Sequence, residues 1–211
     1  MLTRRTFVKE ASCTAAACAV GCSGKENHKE PTMDMKFSEL IEARRSVRKY
    51  AKAEISKDEM AKIVEEALNA PSWKNTETTR YYAAIGDDAK AKIWGGALPE
   101  FNAASSANAA ALVAVTFVPG ESGYMGDTPA DELGEMWGAY DCGLASSYFV
   151  LAAKNHGWDT LIMGIRDAAK MKAILGIPAK EVLMSVIAVG KSAQPYFKNP
   201  RKPVADVLKT V

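Results

Sequence analysis

The segment from residue 131 to residue 156 constrains this chain more than any other feature of its sequence. Large apolar side chains recur there every three or four residues, the spacing of one helix face: Leu133, Met136, Trp137, Tyr140, Leu144, Tyr148 and Leu151. In its second half, around "GLASSYFVLAA", apolar and small residues surround the whole helix axis. The pattern predicts a long central helix that is buried on most sides, so the other elements have to pack around it.

The remaining elements alternate between strands and helices, in a chain of 211 residues whose 48% hydrophobic content suits one soluble domain. Apolar runs predict strands over residues 81–86, 111–118, 158–163 and 181–190. Helices are predicted over 37–44, with Ser38 at or near the N-cap, over 88–94 and over 168–175. The capping box "SKDE" at residues 56–59 begins a further helix, which ends before Pro71. A loop covers 119–130, and the tail from residue 191 is predicted to be extended.

The amino-terminal 35 residues differ in composition from the rest of the chain. A basic start precedes an apolar run of small residues up to Gly21, and then come Cys22 and a polar linker, which is the anatomy of an export signal. The apolar run is too short and too weakly apolar to span a bilayer. The predicted boundaries are therefore 1–22 for the signal, 23–35 for the linker and 36–211 for the folded domain.

Two short motifs in the signal bear on location. Residues 3–9, "TRRTFVK", resemble the twin-arginine export motif. The stretch "AVGC", which ends at Cys22, resembles a lipoprotein processing site, where the cysteine becomes the lipidated first residue. The predicted location is the periplasm or the outer face of the cytoplasmic membrane, with a lipid anchor if Cys22 is modified. The alternative is a cytoplasmic protein.

The charge balance argues against nucleic acid as a partner. The chain has 27 Lys and Arg against 25 Asp and Glu. Removing residues 1–21 takes away Arg4, Arg5, Lys9 and Glu10, which leaves 24 side chains of each sign. Binding along a phosphate backbone needs a broad surplus of cations, and the near-neutral domain lacks one.

Cysteine and histidine content predicts neither a disulfide framework nor a metal site. Of four cysteines, only Cys142 lies beyond residue 22, and the two histidines are His28 in the linker and His156. Cys142 is interpreted as a buried packing residue on the central helix. A nucleophilic role is the weaker alternative, because it needs a neighbouring base.

Against this neutral background, "ARRSVRKY" at residues 43–50 places four cations and a hydroxyl within eight residues. Further cations, Lys198, Arg201 and Lys202, lie in the carboxyl-terminal tail. Such clusters usually form a solvated face that binds nothing. The alternative is an anion site, because guanidinium groups donate in pairs to phosphate oxygens and a serine hydroxyl adds another donor.

Five segments along the domain favour the second interpretation: "RRSVRKY", "NAPSWKN", "LAAKNHGWDT", "MGIRD" and "AVGKSAQPYFKNPRKP". In their order and spacing they resemble the FMN-dependent nitroreductase family, from about residue 36 to the carboxyl end. The resemblance implies an α+β fold, with a mixed, mostly antiparallel sheet flanked by helices. It also implies a homodimer, with the long helix at the interface and each FMN site shared between the two chains.

The resemblance assigns most of the cations to the FMN phosphate and ribityl chain. The phosphate ligands are Arg44, Arg45, Ser46, Arg201 and Lys202. Arg48, two residues beyond Ser46, is assigned to the ribityl chain and the pyrimidine edge of the flavin.

Other matched positions are assigned to the flavin ring and to the second subunit. Pro71, Ser72 and Asn75 match a segment that reaches the flavin of the other chain. The Gln-Pro-Trp that commonly follows in the family is replaced here by "TETTR". Asn102 matches an asparagine that faces the flavin pyrimidine, and Gly164 matches a position of close backbone approach beneath the ring.

The activity implied by the resemblance is a ping-pong oxidoreductase that passes two electrons from a donor to a nitroaromatic, a quinone or a similar electron-poor acceptor. Tyr124 and Trp137 are candidates for shaping the acceptor pocket, with core packing as the alternative. No catalytic acid or base is assigned, because the cofactor carries the chemistry. Two rival functions fit the same motifs: a flavin-binding or sensor protein without turnover, and a specialised reaction such as flavin destruction or dehalogenation.

Overall fold

The computed structural model describes residues 35–211 of the chain. The helices are α1 (Phe37–Ala43), α2 (Lys57–Ala67), α3 (Asp87–Lys92), α4 (Glu100–Ser105), α5 (Met136–Asn155), α6 (Ala168–Leu175) and α7 (Val204–Val207). The strands are β1 (Tyr50–Ala51), β2 (Thr79–Ala84), β3 (Ala111–Phe117), β4 (Tyr124–Met125), β5 (Thr128–Pro129), β6 (Asp159–Met163) and β7 (Val182–Ser192). A 3₁₀ turn covers Trp73–Asn75, and a π-helical turn, Ile93–Ala97, continues α3.

Five strands form a sheet around β7, the longest of them. β7 pairs antiparallel with β3, β6 and β1, and β2 extends the sheet beyond β3. A parallel bridge also joins Ser46 to Thr160. The prediction of a mixed, mostly antiparallel sheet is therefore confirmed. β4 and β5 form a separate hairpin within the predicted 119–130 loop.

Helices cover both faces of this sheet. β3 is buried along its whole length, and its alternate side chains enter two different apolar clusters. Val113, Val115 and Phe117 pack with α2 and α5, and Leu112 and Ala114 pack on the opposite face with Met171 of α6. Burial of each of the larger side chains among these, Val, Leu, Phe or Met, stabilises the fold by roughly 1.5–3 kcal/mol. The predicted α+β architecture is thus confirmed, with the core divided into two layers.

The predicted central helix is confirmed as α5, but it begins at Met136 rather than at residue 131. The Asp131 carboxylate accepts the Leu133 backbone N–H at 3.0 Å, and Gly134 adopts a positive φ of 47°. A side chain that bonds to the backbone two residues later competes with helix formation. The first five residues of the predicted helix therefore form a turn.

Other boundaries differ for similar local reasons. Helix α1 begins at Phe37, so Ser38 lies in its first turn instead of at its cap. The predicted 81–86 strand spans Thr79–Ala84, because Thr79 pairs with Phe117 at the end of β3. Helix α4 was not predicted, and the π-helical turn continues the predicted 88–94 helix to Ala97. The tail predicted to be extended contains the short helix α7. In contrast, the Ser56–Glu59 capping box and the bounds of α6 are confirmed.

No helix within residues 35–211 combines the length and the apolarity that crossing a membrane requires. The predicted signal and linker, 1–22 and 23–35, lie almost entirely outside the described residues.

Cys142 is the buried packing residue that the sequence predicts. It is 1% exposed, and its thiol lies 3.8 Å from the Thr116 carbonyl oxygen. Burial raises the pKa of this thiol from its ordinary value of 9.0 to about 11, so it stays protonated near neutral pH. A buried, protonated thiol is a poor nucleophile, which agrees with the packing role.

Raising the pH from 9.0 to about 11 should lower the free energy of unfolding, because the unfolded chain releases the Cys142 proton while the folded chain retains it. Burial also raises the pKa of Tyr50 and Tyr81, so their titration too lowers the free energy of unfolding as the pH rises. We expect the thiol to account for about 2–3 kcal/mol of the loss. Urea titrations at several pH values should show a shallower decline for Cys142→Ser than for the native chain. Equal slopes would contradict this assignment.

Candidate flavin site

The basic motif and the carboxyl-terminal tail line a common cavity of about 440 Å³, here called the cation cavity. It lies between the end of α1 with the segment that follows it and residues 196–201 of the tail. Its lining consists of Ile41, Glu42, Arg44, Arg45, Ser46, Arg48, Tyr196, Phe197, Lys198, Asn199 and Arg201. Five of the six residues predicted to bind the phosphate and ribityl chain therefore come together. Lys202 is exposed and does not line the cavity.

Backbone hydrogen bonds hold the two walls in place. The Val47 N–H donates to the Thr160 carbonyl of β6 at 3.0 Å, and the Val47 side chain is 1% exposed. Because neighbouring side chains in an extended segment alternate, burying Val47 turns Ser46 and Arg48 the other way. The tail is attached by the Ala193 N–H, which donates to the Lys49 carbonyl at 2.9 Å, and by the Tyr196 hydroxyl, which accepts from the Arg48 N–H at 2.8 Å.

Like charges crowd this cavity. The pKa of the Arg44 guanidinium is lowered from its usual value by burial first, and then by the nearby charges of Arg201 and Arg45. Lys198 is neutralised by its ion pair with Glu42, and that pair lowers the pKa of the Glu42 carboxyl. Four guanidinium groups then remain without a carboxylate in the lining. Mutual repulsion of this kind is relieved when an anion binds.

Arg45 provides a second observation that fits an anion site. One of its terminal nitrogens, Nη1, donates to the Arg44 carbonyl at 2.7 Å. Its Nε is buried and has no hydrogen-bond partner within the described part of the chain. A buried donor left without a partner is unfavourable by about 1–3 kcal/mol, so this atom fits an oxyanion ligand.

The loop that carries Pro71, Ser72 and Asn75 does not line the cation cavity. It is held by its own bonds: the Ser72 hydroxyl accepts the Glu77 N–H at 3.0 Å, and the Asn75 amide donates to the Glu77 carboxylate at 2.7 Å. Lys74, Asn75 and Glu77 have positive φ values of 47°, 57° and 50°. A left-handed backbone raises the conformational free energy of each non-glycine residue by about 1–2 kcal/mol. Clustered backbone strain of this kind is typical of functional loops.

Asn102 and Gly164 meet at the loop after β6. Asn102 is 8% exposed, and its amide nitrogen donates to the Ile165 carbonyl at 2.7 Å. Gly164 is exposed, and open space surrounds the position where a Cβ would stand. The geometry leaves room for a planar group beside the Gly164 backbone, and Asn102 holds the neighbouring residue.

Arg166 is a structural partner of this loop that sequence reasoning did not assign, although it lies in the "MGIRD" motif. Its guanidinium donates to the Gly164 carbonyl at 3.0 Å and also to the Leu183 carbonyl of β7. Its Nε is buried without a partner among residues 35–211. Arg166 thus attaches the Gly164 loop to the sheet.

Aromatic side chains cluster beside the Pro71–Asn75 loop. Trp73 and Trp137 lie 4.9 Å apart between ring centroids, and Tyr140 lies edge-on to Trp137 at 5.6 Å. The Trp137 indole N–H donates to the Asp131 carboxylate at 3.0 Å. A Cβ on Gly123 would come within 2.8 Å of the Trp137 ring, so Trp137 anchors the loop that carries Tyr124. Packing therefore accounts for the position of Trp137. Tyr140 forms the solvent-exposed edge of this aromatic cluster.

Most of the residues that build this site match a known protein family. The model of the family described as "Nitroreductase family" matches residues 41–191, which is more than half of the chain. The chain belongs to the nitroreductase family. The match begins inside α1 and ends in β7, so it includes the basic motif, the Pro71–Asn75 loop and the Gly164 loop. The tail with Arg201 lies beyond it.

Relatives and solved structures agree with this membership. The chain is 28% identical to the Bacillus subtilis protein YdgI, provisionally named an NAD(P)H nitroreductase, over 80% of this chain and 94% of that protein. It is 28% identical to a CLA biosynthesis enone reductase of Lactiplantibacillus plantarum, over 75% of this chain and 86% of that one. It is similar to a crystal structure from Exiguobacterium sibiricum of a provisionally named nitroreductase in complex with FMN. There the identity is 25%, the TM-score is 0.74, and coverage is 84% of this chain and 98% of the other.

Charge crowding in the cation cavity should make its cations unfavourable for the ligand-free protein. Arg201→Gln should leave the stability of the ligand-free chain unchanged or raise it by up to about 1 kcal/mol, because it removes repulsion on Arg44. The same change should weaken stabilisation by added inorganic phosphate, measured as the rise in melting temperature. Lys202→Gln is the matched control, since it removes the adjacent charge outside the cavity and should alter neither value. Equal effects of the two variants would contradict the assignment.

Proposed function

We propose that this chain is an FMN-dependent oxidoreductase that reduces nitroaromatics, quinones or similar electron-poor acceptors by two electrons in a ping-pong cycle. The observation that carries the proposal is the cation cavity, in a chain that belongs to the nitroreductase family. FMN is the cofactor of this enzyme, and its phosphate is the anion that the cavity suits. When bound, FMN supplies the redox chemistry by accepting a hydride and passing two electrons on.

The chain's own residues bind and orient the cofactor. Arg44, Arg45 and Arg201 hold the phosphate, because forked guanidinium donors match its oxygens and its charge of nearly minus two. Ser46 adds a hydroxyl donor, and Arg48 lies two residues further along the same wall. The Gly164 loop, held by Asn102 and Arg166, leaves the open space in which a flat ring can lie.

No side chain is assigned as a catalytic acid or base. The Cys142 thiol is buried and protonated. His156 bonds to the Glu66 carboxylate at 2.7 Å, so its ring joins α2 to the end of α5. Water can supply the protons, and the protein contributes binding and electrostatics.

The range of acceptors is suggested by relatives as well as by motifs. One relative is named for enone reduction and another for nitro reduction. Both reactions deliver two electrons to an electron-poor π system, so an acceptor panel should contain a nitroaromatic, a quinone and an enone.

Purified protein should contain noncovalent FMN, seen as flavin absorbance. The double variant Arg44→Ala, Arg201→Ala should bind FMN at least about a hundredfold more weakly, since each lost charge-assisted bond contributes roughly 1.5–3 kcal/mol. The variant should keep the native circular dichroism spectrum.

Stopped-flow reduction of the bound flavin, followed by mixing with each acceptor, tests turnover. Rapid reoxidation by at least one member of the panel supports the proposed activity. Flavin binding with slow reoxidation by every acceptor would favour the carrier or sensor alternative. Loss of the flavin spectrum, or halide release from a halogenated acceptor, would favour a specialised reaction.

We further propose that the enzyme is a homodimer that associates through α5. One stripe of this 20-residue helix faces solvent, with Met136, Tyr140 and Tyr148 exposed by 58%, 59% and 41%. Gly143 and Ser147 lie between them, and the stripe carries no charge. A large uncharged patch on a soluble domain is typical of an interaction surface. Association there would allow the Pro71–Asn75 loop of one chain to complete the flavin site of the other.

Complementation between two variants tests this sharing. Arg44→Ala and Asn75→Ala, each with a different affinity tag, should both bind FMN weakly on their own. Co-expressed mixed dimers should recover one tight site, because the intact Arg44 of one chain then meets the intact Asn75 of the other. Sites built within one chain would recover none. Mixed dimers without flavin, under conditions where native dimers are saturated, would therefore contradict the shared site.

Export is the last part of the proposal, and it rests on residues 1–22, which lie outside the described residues. The twin-arginine route carries folded proteins, which suits an enzyme that acquires FMN before it crosses the membrane. NAD(P)H is essentially absent outside the cytoplasmic membrane, so the physiological donor is a quinol or a membrane-bound carrier. A lipid at Cys22 would keep the enzyme near that membrane, although one chain alone holds a protein only marginally.

Cell fractionation of the full chain and of its Arg4→Lys, Arg5→Lys variant tests the location. We expect the native chain outside the cytoplasm and the variant inside, with slow reduction of the purified enzyme by NADH and NADPH. An unprocessed cytosolic protein that is reduced quickly by either nucleotide would contradict both the location and the donor.

A further inference from the structure

A buried carboxylate on α5 faces the loop proposed to reach the second flavin. Asp141 is the only acidic residue in the α5 sequence, and it is 3% exposed. Its Oδ2 accepts the Trp73 backbone N–H at 2.9 Å and the Ser122 hydroxyl at 2.6 Å. An acidic residue within an otherwise apolar helix is rarely buried unless it is paired or hydrogen-bonded, and both of its donors belong to other segments.

The bond from Ser122 to Asp141 decides which hydroxyl donates in the neighbouring pair of Thr76 and Ser122. Ser122 is 1% exposed, and its single hydroxyl proton is committed to the Asp141 carboxylate. The Thr76 hydroxyl, 2.9 Å from Ser122 Oγ, must then be the donor of that pair. One carboxylate oxygen thus holds the loop at Trp73 directly and at Thr76 through Ser122.

The segment between these two anchors is the strained part of the loop. Lys74 and Asn75 have left-handed backbones, and Glu77 follows with a third. Such conformations persist only when surrounding contacts over-determine them. The bonds within the loop close it on itself but do not attach it to the domain: the Ser72 hydroxyl accepts from the Glu77 N–H, and the Asn75 amide donates to the Glu77 carboxylate.

We propose that Asp141 is a positioning residue for the flavin site. It holds the Ser72–Asn75 turn in the conformation that contacts the flavin of the other subunit, and this part rests on the proposed function. Asp141 follows Tyr140, which lies in the exposed stripe proposed as the subunit interface. The same turn of α5 therefore sets both the subunit contact and the placement of the flavin loop.

The hold on the loop can be measured without flavin. In the flavin-free protein, Asp141→Ala should speed hydrogen exchange of the Trp73 amide at least about tenfold, because its acceptor is lost. Asp141→Asn retains an acceptor oxygen and should keep the native protection. Equal protection in Asp141→Ala and the native chain would overturn the inference. A native chain that binds no FMN would instead refute the proposed function and leave this measurement valid.

The effect on the site is measured by FMN titration of the full chain. Asp141→Ala should raise the FMN dissociation constant at least about tenfold, and Asp141→Asn should stay within about threefold of native. Glu181→Ala is the matched control. It removes another buried carboxylate, which accepts from Tyr82 at 2.8 Å and from Thr116 on the opposite face of the sheet. It should lower the melting temperature without changing FMN affinity.

Two outcomes of the titration would overturn the positioning role. In one, Glu181→Ala weakens FMN binding as much as Asp141→Ala does, which indicates general destabilisation. In the other, Asp141→Asn binds FMN as weakly as Asp141→Ala does. The hydrogen-bond acceptor at position 141 would then not be the cause of the tight binding.

A double-mutant cycle separates positioning from a merely structural contribution. Asn75→Ala should weaken FMN binding in the native chain, yet change it by less than about twofold in the Asp141→Ala chain, where the loop is already displaced. Additive effects would overturn the proposal. If Asp141→Ala does not fold, Ser122→Ala decides, since it removes the link from Asp141 to Thr76 and leaves the Trp73 bond to Asp141 in place. An unchanged FMN dissociation constant in that variant would overturn the role equally.

Discussion

The pairing of β7 with three other strands is the constraint on which the site depends. This 11-residue strand is bonded to β3, β6 and β1, and its central residues, Val186 to Val189, are fully buried. Each segment of the cation cavity and of the Gly164 loop is attached to β7 or to one of its neighbours. The basic motif enters β1, the Gly164 loop leaves β6, and the tail continues from Ser192. A rigid strand therefore brings together residues that are more than 150 positions apart in the chain.

The rigid sheet holds the cation cavity together against electrostatic repulsion between its own side chains. Four guanidinium groups share one cavity, and the Arg45 Nε has no partner among residues 35–211. Surface cations with long side chains would simply move apart. Here Val47 is buried and bonded to β6, and the tail is bonded to Lys49 and Arg48, so the walls cannot separate. Apolar burial in the two core layers holds this unfavourable charge arrangement in place, and a bound anion would relieve it.

Sequence reasoning succeeded where a local pattern carries the information. Periodicity predicted α5 and the buried strands, and the Ser56 capping box predicted α2. The family resemblance, carried by short motifs, predicted that Arg44 and Arg45 share one site. It failed where a distant partner decides the outcome. Arg166, for example, is defined by the carbonyls of Gly164 and Leu183. The early start of the α5 prediction has a local cause instead, because the Asp131 carboxylate bonds to the Leu133 backbone and competes with the first helical turn. The significance of Asp141 depends on Trp73 and Ser122, which only the fold brings near, although a lone acid within an apolar helix was a visible signal.

Three unfavourable features of the single chain belong to different surfaces, and each has its own relief. In the proposed assembly, a phosphate would relieve the crowded cations and a second copy would cover the uncharged stripe on α5. The left-handed loop is held by Asp141. Because the proposed flavin site needs the first two at once, cofactor binding and subunit association stabilise the same assembled state. If the proposed assembly is correct, the chain is most stable when assembled and loaded, which would suit an export route that accepts folded proteins. The proposed location and the proposed site are therefore linked by stability as well as by function.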